Sequence, residues 1–381
     1  MDTPALDATP SADVKGREQC DEKRPSCANC TITDRTCAYP EQANPSAGPG
    51  TPDTPPPAHL TIPTLLPAFA ASVQPLADDA EPLVNASHIE LILNFSLAIP
   101  VPDMSPEICE PGTKIALDAA LGTPYFLHEI LAFSARHLAA KRPQEAAEYL
   151  ARSVRLQNMA IAQFNAAKAE VDEATCVPML LFSSLLGRHL LIDTLAARVD
   201  LPSFLDRYVQ YVGIHRGLRA VASASWPLLV RSELRELLSW GSGVVNTPPR
   251  GEQCDQLKQL IAASDLGPVE ADACHKAVYY LQAGFDELED AVVAGPGAAA
   301  VVRCQMPFMW SILVPREFTE MVGARRVEAM AIFAYYAVLL HHRRGMWHIG
   351  DAGLYLFELV VGFLGPDWAA WMAWPRTLLG V

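Results

Sequence analysis

Between Ala329 and Leu340 the chain reads Ala-Met-Ala-Ile-Phe-Ala-Tyr-Tyr-Ala-Val-Leu-Leu, with Arg325 and Arg326 before it and His341 and His342 after it. A helix built from this stretch is apolar on every face, so no side of it suits water. It also falls well short of the roughly 20 residues that cross a bilayer, and no membrane span is expected. What remains is a central helix wrapped by other elements. The chain can supply the wrapping: 50% of its 381 residues are hydrophobic and only 19% are charged. Such a composition excludes disorder as the whole story.

The wrapping reads as helical. Ile89, Leu91, Ile92, Leu93, Phe95 and Leu97 open a helix from His88. Over Tyr125–Ala140 apolar residues recur every three or four positions, and over Gln144–Ala169 Tyr149, Leu150, Val154, Leu156, Met159, Ile161 and Phe164 form an apolar side. Further helices are expected over Ala174–Ile192, Ser203–Ala222, Pro227–Ser239, Gln253–Ala263, Glu270–Val293, Arg303–Leu313, Arg325–Arg344, Ala352–Leu364 and Asp367–Trp374. Breakers fall at Pro202, Pro248-Pro249, Gly295-Pro-Gly297 and Gly365-Pro366. No sustained alternation of β-branched residues occurs, so the expected fold is all-α.

Upstream the character changes twice. Eleven of the 31 prolines lie between Pro40 and Pro82, where fixed φ and missing amide donors stop both helix and sheet. Before them, four of the nine cysteines lie between Cys20 and Cys37. The expected organisation is a disordered N-terminus (1–14), a zinc-cysteine module (15–40), a disordered proline-rich linker (41–87) and an all-helical domain (88–381).

The cysteines are spaced Cys20-x6-Cys27-x2-Cys30-x6-Cys37. Thiolates are soft ligands, and four of them satisfy the tetrahedral preference of Zn2+. We expect Cys20, Cys27, Cys30 and Cys37 to close around zinc. The strand-helix context of a redox Cys-x2-Cys is missing. Net charge is -14, which argues against a protein that coats nucleic acid with its whole surface. Any contact with double-stranded DNA is local, and Lys15, Arg17, Lys23 and Arg24 are the candidate phosphate contacts.

The cysteine segment, with Asp21-Glu-Lys-Arg-Pro25 and Cys37-Ala-Tyr-Pro40 around it, resembles the second half of the fungal Zn(II)2Cys6 cluster of transcription regulators. Its four cysteines match the third to sixth of that family. The first two, and the basic residues after them, have no counterpart between Pro10 and Gln19. In the family that half carries the helix entering the major groove. From Lys15 to Arg35 five basic residues face four acidic ones, too slight an excess for strong phosphate binding. Two alternatives follow: the missing half is encoded upstream and omitted here, or direct DNA binding has been lost. The resemblance implies a nuclear, zinc-dependent regulator of RNA polymerase II transcription. The second alternative leaves a helical ligand-sensing or interaction protein derived from that family.

The helical part resembles the regulatory domain of the sterol uptake control type. The resemblance rests on His88-Ile-Glu-Leu-Ile-Leu-Asn-Phe95, Tyr125–Leu138, His215-Arg-Gly-Leu-Arg219, Ala334–His341, Trp347-His-Ile-Gly-Asp351 and Trp371-Met-Ala-Trp-Pro375. It implies an all-helical effector domain, an apolar sterol-like ligand, and control of lipid or specialised-metabolite genes. Met306, Phe308, Met309, Trp310, Phe333 and Tyr336 are the candidate pocket residues, although such a stripe more often packs a core. The linker has no heptads, so a homodimer would form through the helical domain.

No His-Glu-x-x-His, Gly-x-Ser-x-Gly or phosphate-cradling glycine loop occurs, and no enzyme is expected. His341 and His342 project about a hundred degrees apart on a helix and cannot share one ion. His341 is expected at the polar end of the central helix, and Asp351 as the cap of the helix from Ala352. The opening residues show no secretory signal.

Overall fold

Every expectation about the central helix turns on whether other elements surround it. In the computed structural model, which describes residues 85–99, 106–167, 170–238, 248–294 and 306–381, the helix spans Val327–His342 and each residue from Ala329 to Leu340 is 0% exposed. Among the described residues 79% are helical and no strand occurs. The all-α expectation holds for these residues. Residues 1–84, with the zinc module and nearly all the linker, lie outside them.

The order is α1 (Ala86–Ala98), α2 (Pro106–Leu121), α3 (Pro124–Lys141), α4 (Ala146–Ala167), α5 (Cys176–Ala196), α6 (Leu201–Ala224), the short α7 (Trp226–Leu229), α8 (Asp255–Ala263), α9 (Pro268–Ala294), α10 (Met306–Leu313), α11 (Arg316–Gly323), α12 (Val327–His342), α13 (Ala352–Leu364) and α14 (Ala373–Leu379). α3 lies along α4, α5 along α6 and α12 along α13, while α9 packs on α10, α11 and α12. A large core runs through α3, α5, α6 and α8 to α13, with a smaller one between α1, α3 and α4.

Local chemistry sets several boundaries. Asn85 caps α1, its Oδ1 accepting from the His88 amide at 3.2 Å. Asn94 then ties α1 to α3, its Nδ2 donating to Ser134 Oγ at 2.7 Å, while Ser134 Oγ donates to the Leu91 carbonyl at 2.6 Å. α6 begins at Leu201, so Pro202 starts a helix instead of breaking one. In a first turn proline has no partnered amide to lose, and Asp200 Oδ1 accepts from the Ser203 amide at 2.9 Å.

Other elements differ from the expectation. α2 was not among the expected helices. Pro111 lies inside the helix, and packing of α2 on α3 and α5 overrides propensity. α11 was also not among the expected helices, yet Phe318, Met321 and Val322 recur at helical spacing and are buried. The helix expected over Asp367–Trp374 is a 3-10 turn, Pro366–Trp368, followed by α14. Asp351 precedes α13 without a side-chain capping bond and pairs instead with Arg198. Among the described residues one helix, α5, is long and apolar enough to cross a membrane, but 67% of its apolar window is buried inside the protein.

Candidate functional site

Cys20, Cys27, Cys30, Cys37, Lys15, Arg17, Lys23 and Arg24 lie outside the described residues. Among the described residues no group of three or more His, Cys, Asp or Glu is arranged to hold a metal. The described thiols Cys176, Cys254 and Cys274 are free and buried, and burial pushes the Cys274 thiol up to about 12. They serve as small apolar side chains.

The six candidate pocket residues sit mainly on α10 and α12. Met306, Phe308, Trp310, Phe333 and Tyr336 are buried and Met309 is half-buried. Trp310 stacks on Tyr336 with ring centroids 4.4 Å apart, and Phe333 lies 5.8 Å from Tyr336, nearly parallel to it. Their polar ends are satisfied within the protein. Trp310 Nε1 donates to the Ala277 carbonyl at 2.9 Å, Tyr336 Oη to the Pro307 carbonyl at 2.7 Å, and Tyr208 Oη to Ser311 Oγ at 3.1 Å. These rings fill the space between the two helices, and packing accounts for them. Phe308 faces elsewhere, beneath the Arg188 guanidinium at 5.0 Å and 5.0 Å from the His348 ring.

A polar trio crosses the small core. Glu129 on α3, His189 on α5 and Ser153 on α4 are all buried. His189 Nδ1 lies 2.8 Å from Glu129 Oε1, and Nε2 lies 3.2 Å from Ser153 Oγ. The order carboxylate, imidazole, hydroxyl matches a hydrolase triad, but the polarity is reversed. Ser153 Oγ donates to the Ala132 carbonyl at 2.8 Å, so it accepts from His189 instead of yielding a proton to it. The hydroxyl is not activated. Burial alone would lower the His189 pKa, but the Glu129 carboxylate, with Asp193 behind it, outweighs burial and raises it. Burial raises that of Glu129, against the pull of His189. The pair therefore holds one proton firmly, and the trio bolts three helices together.

The histidines beside Trp347 behave differently. His137 and His348 flank Trp347, with centroids 4.9 and 5.1 Å away. Burial, then Arg188 and His137, holds His348 down to about 3, and burial, then Lys141, holds His137 down to about 4. Both are neutral at ordinary pH and pack as aromatic plates.

Comparison with protein-family models, curated proteins and solved structures returns no match.

Among the described residues, two surface hollows border α1. One of about 610 Å³ lies between the end of α1 and α2, beside Leu97, Lys114 and Leu117. There Lys114 and Asp118 pair with each other at 2.5 Å. The other, of about 310 Å³, lies where α1 starts and is lined by residues of α1, α3 and α4. Neither hollow was foreseen. The available signal was Arg152 and Arg155, three apart on α4 and so on one side of it, but nothing in the sequence joins them to His88 and His128.

Proposed function

We propose that the chain is a zinc-dependent, sequence-specific transcription regulator of the fungal zinc-cluster type, nuclear and acting with RNA polymerase II. The observation that carries this reading is the spacing Cys20-x6-Cys27-x2-Cys30-x6-Cys37 ahead of a proline-rich stretch and a large helical body. An all-helical body is what such an effector region requires, and it supports the reading at that coarse level. Within this proposal Cys20, Cys27, Cys30 and Cys37 bind Zn2+, while Lys15, Arg17, Lys23 and Arg24 meet DNA phosphates. Lipid, sterol or specialised-metabolite genes are the proposed targets.

The slight basic excess from Lys15 to Arg35 favours a second reading, a helical sensing or interaction protein without DNA contact. Metal analysis of the purified full chain separates the outcomes. The expected result is about one zinc per chain, lost when Cys27 and Cys30 are changed to Ser. A metal-free wild type sinks the zinc module. Zinc without salt-dependent retardation of duplex DNA favours the second reading.

A further inference from the structure

The smaller hollow gathers like charge in an acidic protein. Against a net charge of -14, its wall carries His88 from α1, His128 from α3, and Arg152 and Arg155 from α4, with no Asp or Glu in the lining. Leu156 and Met159 supply an apolar surface beside them. Arg155 is exposed and pairs with no acid among the described residues. Arg152 is fixed by its neighbours: Nη2 donates to Glu148 Oε1 at 2.9 Å, and the guanidinium lies 5.5 Å from the Tyr149 ring centroid. The nearby acid Glu90 is engaged by Arg142 at 2.7 Å and by Tyr149.

The imidazoles are set to receive an anion as well. His128 Nδ1 lies 2.8 Å from the Pro124 carbonyl and 2.9 Å from Gln163 Oε1. Two acceptors on that nitrogen keep its hydrogen there. Burial lowers the His88 pKa, and His128 and Arg152 lower it further. A negative charge among these groups relieves their mutual repulsion and draws a proton onto His88.

We propose that this hollow binds a small organic oxyanion, its phosphate or carboxylate head held by Arg152, Arg155, His88 and His128 and its apolar body resting on Leu156 and Met159. A volume of about 310 Å³ suits a single ring or a short alkyl chain. Paired arginines suit the planar, two-pronged recognition of such heads. The site stands whether or not the cysteine module holds zinc.

Titration calorimetry on the full chain tests it with phenyl phosphate, benzoate and inorganic phosphate as probes. The expected result is saturable binding of at least one aryl acid, tighter than inorganic phosphate and tightening as pH falls from about 8 to 6. Whichever aryl acid binds more tightly identifies the head. Arg155→Gln should weaken that binding about tenfold, the loss of one charge-assisted hydrogen bond, with the helical circular dichroism unchanged. Arg152→Gln should weaken it similarly. Absence of binding by both aryl acids overturns the proposal, as does binding that neither substitution alters. Inorganic phosphate binding as tightly as phenyl phosphate would remove the apolar half of the site.

Discussion

An imidazole and a carboxylate shut away from water must divide one proton between them, and Glu129 and His189 do so at 2.8 Å. Removing one partner strands the other, and breaking a buried pair costs about 3–5 kcal/mol. Glu129→Ala should therefore lower the unfolding free energy by about that amount in urea titration. The pH dependence has a definite sign. A His189 pKa raised in the folded state gives stability that is whole below the unfolded value of about 6.5 and is lost as pH rises through the folded value. In Glu129→Gln the carboxylate is gone, burial dominates, and the His189 contribution should instead be lost as pH falls below about 6.5. The difference between the two stability curves isolates the pair. Parallel curves from pH 5 to 9 would show that the proton does not reside there. The trio was not legible in the sequence, because Glu129, Ser153 and His189 lie on three helices and a polar residue on an apolar face names no partner.

Helix α13 carries two glycines with opposite consequences. At Gly353 an added Cβ would meet the backbone of α12, the Ala337 carbonyl oxygen and the His341 nitrogen, both at 2.5 Å. Backbone cannot step aside as a side chain can, so Gly353→Ala forces the helices apart at a cost of about 1–3 kcal/mol or more. Gly362 in the same helix is exposed and has nothing within 4 Å of such a Cβ. There alanine should stabilise by up to about 1 kcal/mol, through propensity alone. Thermal unfolding of the two variants should shift in opposite directions, and a matched loss in both would contradict the close contact of α12 with α13. At this scale the sequence was informative wherever the apolar pattern was long. α12 was legible because twelve apolar residues leave a helix no exposed face. α2 was hidden because its stabilisation comes from α3 and α5, which a local pattern around Pro111 cannot display. α11 was legible in principle, because the helical spacing of Phe318, Met321 and Val322 was present.

Across the whole chain, the cysteines of the proposed metal site and the apolar core of the described residues belong to different stretches of sequence. The four clustered cysteines all precede Tyr39, whereas the core of the described residues begins at α1, and its thiols are buried among apolar neighbours instead of facing a shared centre. This division explains why the candidate metal site was legible and the surface hollow was not. Four ligands closely spaced along the chain announce themselves, while four basic side chains on three helices meet only after folding. It also makes a prediction. Zinc-dependent small domains lose their fold with the metal because ligation supplies their folding free energy. A body that fully buries Ala329 to Leu340 of α12 has its own source of stability in apolar contact, about 1.5–3 kcal/mol for each large side chain withdrawn from water. A chelator should therefore strip zinc from the full chain while leaving the far-ultraviolet circular dichroism and the thermal midpoint of the helical body unchanged. Cooperative loss of helical signal on chelation would instead mean that the cysteine module and the core fold as one, and the separation of metal chemistry from core stability would have to be abandoned.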